Sequence, residues 1–138
     1  MFKQSLIGTA IAGLTLMSSV AIAQSGTISV KGSDQDVSGG TVVTSEVMAA
    51  ENGWLVIHRT DGSKPGPVVG HAPLRKGKNT DIAAILTEPV KSGDKLMLMV
   101  HGEAGGTKAG IFEYTLGAKE DGPVRVDGKL VMTVITAK

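Results

Sequence analysis

The chain has 138 residues, 14 Lys and Arg against 13 Asp and Glu, and no cysteine. Such a balance carries no electrostatic footprint for nucleic acid or an anionic membrane. The missing thiols exclude disulfides, a Cys-linked lipid anchor and a blue-copper centre, which needs a cysteine thiolate.

Lys3 is the only charge in the first thirty residues, and an apolar run follows from Leu6 to about Val20, broken by Gly8 and Gly13. Ala21-Ile22-Ala23 then supplies a small-x-small site before a polar stretch begins at Gln24. This is the pattern of a secretory signal peptide over 1–23. The run is shorter and more polar than the roughly 20 apolar residues of a membrane span. The expected mature chain, 24–138, is one domain and loses Lys3, so its formal charge is zero. No later stretch reaches spanning length, and the chain is expected to be periplasmic or secreted, with no membrane anchor once the leader is cleaved.

Beyond the leader the sequence alternates short runs rich in Val, Ile, Thr and Leu with Gly, Pro, Asp and Asn. The runs predict strands over Thr27–Lys31, Thr41–Met48, Trp54–Arg59, Asp81–Thr87, Lys95–His101, Gly110–Leu116, Pro123–Val126 and Leu130–Thr136. A short extended piece at Pro67–Val69 is expected at an edge, and Gly70-His71-Ala72-Pro73 is expected to be a loop. Asp127-Gly128, between two apolar runs, predicts a type I′ hairpin. Together these predict an all-β fold, a Greek-key β-sandwich of about seven to nine short strands.

Two of the runs are apolar on both faces, as in central strands covered on both sides. Leu96, Leu98 and Val100 face one way, and Met97, Met99 and His101 face the other. Trp54, Val56 and His58 share one face, and Leu55 and Ile57 the opposite one. Trp54 is expected to supply much of the core.

A series of short pieces resembles a family. In order they are Asp34-Gln35; Gly53-Trp54-Leu55-Val56-Ile57-His58; Val69-Gly70 with Leu74 and Gly77; Leu96 through His101-Gly102-Glu103; Gly110-Ile111-Phe112-Glu113; and Asp121-Gly122-Pro123-Val124. The series is similar to an exported prokaryotic domain-of-unknown-function family. That family often has an Asp two residues after its second histidine, where this chain has Glu103. The resemblance implies an exported all-β module and no particular chemistry.

The residues that could carry chemistry are few. Met97, Met99 and His101 alternate on one strand face, with Glu103 next, and His58 ends another strand. Thioether and imidazole donors together suit copper, above all Cu(I). If the two strands are neighbours, His58, His101, Met99, Met97 and Glu103 form a candidate metal site. The plainer alternative is core methionine and histidines hydrogen-bonded to carbonyls or to Glu103.

Other motifs fail. There is no H-E-x-x-H and no G-x-S-x-G. Asp34-Gln35-Asp36 opens like an EF-hand with Gly39 at position six, but Ser45 stands where the twelfth-position Glu is required. Gly70–Lys78 has the wrong spacing for a phosphate loop. Glu103 and Glu113 have no sequence-fixed separation that would make them a glycosidase pair. The expected function is an exported non-enzymatic binding or interaction module for an unknown protein or small ligand, without a cofactor. The alternative is a periplasmic copper-binding protein using the His/Met site.

Overall fold

In the computed structural model, residues 26–138 are described; the expected leader and its cleavage site lie outside them. The described residues form nine strands and no helix: β1 Ser29–Lys31, β2 Thr41–Ala49, β3 Gly53–Thr60, β4 Pro65–Leu74, β5 Gly77–Leu86, β6 Lys95–Gly102, β7 Arg125–Val126, β8 Lys129–Leu130 and β9 Met132–Thr136.

Seven of them make one antiparallel sheet in the order β1-β2-β5-β4-β3-β6-β9. Strands β3, β4 and β5 are joined by hairpins, and β2 returns beside β5, which is a Greek key. The sheet curls until its two edges nearly meet. Gln35, just past β1, bridges to Ala137, just past β9, and Lys138 N–H donates to the Gln35 carbonyl at 2.9 Å. Asp34 Oδ1 accepts from Thr136 N–H at 2.8 Å and fastens the same seam.

Alternation decides which side chains meet inside. Leu55 and Ile57 of β3, Leu96, Leu98 and Val100 of β6, Val42 and Val47 of β2, Val69 and Leu74 of β4, and Ile135 of β9 form the central cluster. The hairpin β7–β8 turns through Asp127 and Gly128, with φ of 50° and 75°, the two positive angles that a type I′ turn demands.

Three expectations need correction. The piece at Pro67–Val69 pairs with β3 and has no register partner on β5, but it is part of a ten-residue strand, and His71 lies on that strand instead of in a loop. Its prolines disguised it. They are tolerated because β4 pairs with β5 only through Gly70↔Leu86 and His71↔Ile85, so most of that edge needs no donor. Gly110–Leu116 is not a strand. Its Phe112/Tyr114 alternation looks extended, but Glu113 N–H is satisfied by the Asp121 carboxylate at 2.8 Å instead of by a ladder. Trp54 is buried, yet outside the central cluster. It shares the outer face of β3 with Val56 and His58, opposite Leu55 and Ile57.

Candidate functional site

That outer face is the unusual part of the molecule. The β3–β6 register stacks three rungs on it: His58 opposite Met97, Val56 opposite Met99, and Trp54 opposite His101. The two histidines are thus two rungs apart, with the Val56–Met99 rung between them. Their rings lean together until His58 Nε2 and His101 Nε2 are 3.1 Å apart. The ring centroids are 5.3 Å apart with planes inclined by 28°. The two distances differ by about one ring radius at each end, so the imidazoles meet end-on, nitrogen to nitrogen.

The far nitrogens are already committed. His58 Nδ1–H donates to the Gly66 carbonyl at 2.7 Å, and His101 Nδ1–H donates to the Asp121 carbonyl at 2.7 Å. A carbonyl oxygen only accepts, so both rings must carry their proton on Nδ1. Three contacts lie along this line, and each needs a hydrogen or a cation between its atoms. Two neutral imidazoles supply two hydrogens. The Nε2···Nε2 contact is therefore left with two lone pairs facing each other, a place shaped for one positive charge.

Burial keeps a proton from filling it near neutrality. His58 and His101 are 0% and 1% exposed. Desolvation pushes both below the usual histidine range, His101 to about 4 in spite of its bond to the Asp121 carbonyl. The unfolded chain therefore binds more protons than the folded one between the ordinary histidine value of 6.5 and about 4. Stability from this burial is full above pH 6.5 and is lost as pH falls through that window. Unfolding free energies from urea titrations between pH 7.5 and pH 4 are expected to decline with pH, by up to about 3 kcal/mol from His101 alone. A flat profile would contradict the neutral buried pair.

A long strap, residues 103–122, covers the face. Tyr114 stands T-shaped on His101 at 4.5 Å and on His58 at 6.0 Å. Phe112 packs on Trp54 at 5.6 Å and on His71 at 4.7 Å. All three histidines and the described aromatics Trp54, Phe112 and Tyr114 thus join one cluster.

The sequence-predicted residues sort clearly. His58 and His101 meet. Met99 and Met97 are fully buried on the same face, Met99 in the intervening rung. The Glu103 carboxylate is directed elsewhere, accepting from Trp54 Nε1–H at 2.7 Å and from Gly110 N–H at 3.1 Å. His71 is exposed and touches Trp54 and Phe112. Gly66, Asp121 and Tyr114 escaped sequence reasoning, because a glycine between two prolines, an Asp-Gly turn and a lone tyrosine carry no site signal. Asp34 Oδ1 and Asp36 Oδ1 accept from Thr136 N–H and Ser38 N–H, the pattern of a seam clamp and an Asx turn.

A family model described as a domain of unknown function, DUF7282, matches residues 28–138. The chain belongs to this family. No curated protein and no solved structure matches it. The DUF7282 match spans every strand described above, so the histidine pair, the Met97–Met99 face and the strap all lie within the family domain.

Donor chemistry narrows which metal the pair could take. Among the described residues no group of three or more His, Cys, Asp and Glu side chains could hold an ion. Zinc wants four such ligands and calcium six or more oxygens. Two imidazoles facing along a line, with thioethers on the same face, suit a soft ion of low coordination number. Two bonds of roughly 2 Å each on that line require the rings to part by about 1 Å. Metal-binding histidines commonly donate their other N–H to a carbonyl, as both do here.

Proposed function

We propose that this chain is a non-enzymatic, exported binding module, and that it binds Cu(I) between His58 Nε2 and His101 Nε2. One observation carries the reading: two buried imidazoles meet end-on at 3.1 Å with both Nδ1 protons held by carbonyls. Neutral rings leave that contact without a positive partner, and a linear d10 ion supplies it. Met99 would stand as a third, thioether donor, Met97 a further one. Export would put the site where copper must be carried or scavenged without a thiol.

The non-enzymatic part is supported by what the carboxylates hold: Glu103, Glu113 and Asp121 each accept from N–H or hydroxyl groups of the chain itself. The test is titration of metal-free protein with Cu(I) against a competing chelator under reducing conditions, repeated with redox-silent Ag(I). Stoichiometric uptake of one ion is expected. Failure of both ions to compete would remove the copper reading.

A second reading keeps the module and changes the ligand. A cleft of about 600 Å³ opens beside Trp54, between Pro73, Leu74, Arg75 and Glu103. Its size suits a small apolar molecule. Quenching of Trp54 fluorescence by such a molecule, undiminished in His101→Ala, would favour this reading over the metal.

A further inference from the structure

Access to the histidine pair has a built-in obstacle. Both rings are buried, and among the described elements Tyr114 of the strap stands directly on them. The strap itself has no strand or helix, and residues 104–111 lie exposed. Its ends are zipped together at the sheet: Gly102 N–H donates to the Gly122 carbonyl at 2.9 Å, and Val124 N–H to the Val100 carbonyl at 2.9 Å. A loop closed at its base and light in buried apolar contact can open without unfolding the domain.

Asp121 sits at the point where strap and site join. It is 1% exposed, and its carboxylate holds two strap amides, Ala104 N–H at 3.1 Å and Glu113 N–H at 2.8 Å. Its own N–H donates to the Ala104 carbonyl at 2.8 Å. Its carbonyl is the acceptor that fixes the proton of His101 on Nδ1. One residue therefore binds the closed strap with its side chain and orients the imidazole with its backbone.

We propose that the strap is the gate of the histidine pair and that Asp121 is the positioning residue that couples gate closure to the orientation of His101. Opening the strap withdraws Tyr114 and, through Asp121, loosens the carbonyl that holds His101 in its binding tautomer. Closing it presents both Nε2 atoms to each other. The inference rests on the pair being the working site, whereas its test needs no metal.

The experiment is carbethoxylation of the purified, metal-free full chain, with rates read per histidine by peptide mass spectrometry. His71, exposed on the same face, is the internal reference. In wild type His58 and His101 are expected to react at least about tenfold more slowly than His71, because reaction waits for local opening. Asp121→Asn keeps the side-chain shape and tolerates the positive φ of 45° at this position, but it cannot accept from both amides. It should raise the His101 and His58 rates about tenfold, and raise His71, already exposed but packed on Phe112 of the strap, far less. Tyr114→Ala should do the same, and Tyr114→Phe should restore protection. Unchanged His101 and His58 rates in both Asp121→Asn and Tyr114→Ala would overturn the gate. So would equal acceleration of all three histidines with a lowered urea midpoint, which signals global loosening. Loss of Ag(I) binding in every form, wild type included, would sink the copper reading and leave the gate standing.

Discussion

His101→Ala and His58→Ala are each expected to lower Ag(I) and Cu(I) affinity roughly a hundredfold or more, while His71→Ala leaves it unchanged. Loss of an outer-shell partner alone commonly costs 10–100-fold, and removal of a ligand should cost at least as much. The prediction separates geometry from composition. All three histidines share one aromatic cluster, but only His58 and His101 face each other, at 3.1 Å. Competition titration of the three variants reads the difference directly. Met99→Leu extends the series: it conserves volume, so it should cost less than about 1.5 kcal/mol of stability. A drop in affinity without a matching drop in stability would mark the sulfur as a donor. Equal affinity in wild type, His101→Ala and His58→Ala would place any bound metal elsewhere.

Leu98→Ala is expected to cost about 2–5 kcal/mol, against a total stability of about 5–15 kcal/mol for a domain of this kind. Leu98 is fully buried in the central cluster, on a strand flanked by β3 and β9. It pairs with Ile57 on one side and Thr133 on the other, so the surrounding backbone has little freedom to collapse into the space left. Ile85→Ala is the matched control. Ile85 is also an apolar strand residue, but it is 75% exposed, and its truncation should stay within about 0.5 kcal/mol. Urea unfolding with an unchanged slope measures both. Similar midpoints for the two variants would mean that the inner face has been assigned wrongly.

The two strands that matter most were legible because their pattern is simple. A period of two on Trp54–Arg59 and Lys95–His101 sorts Leu55, Ile57, Leu96 and Leu98 from Val56, His58, Met97 and Met99, and the structure keeps that sorting. The Asp127-Gly128 hairpin was legible because few other residue pairs take two positive φ angles cheaply. Strand β4 was hidden, since three prolines and two glycines obscure a pattern that only sheet pairing rescues. The strap was misread for the opposite reason. Phe112 and Tyr114 alternate as in a strand, but their rings find partners on the outer face before their backbone finds a ladder.

By itself the sequence determined an all-β chain, the two faces of β3 and β6, and a short set of possible metal donors. It could do so because alternation and side-chain chemistry are local properties. Tertiary structure alone decided that His58 and His101 meet nitrogen to nitrogen, that Gly66 and Asp121 hold their outer protons, and that Glu103 turns to Trp54. These contacts depend on the register between strands more than forty residues apart and on how a long loop folds back, which no local pattern encodes.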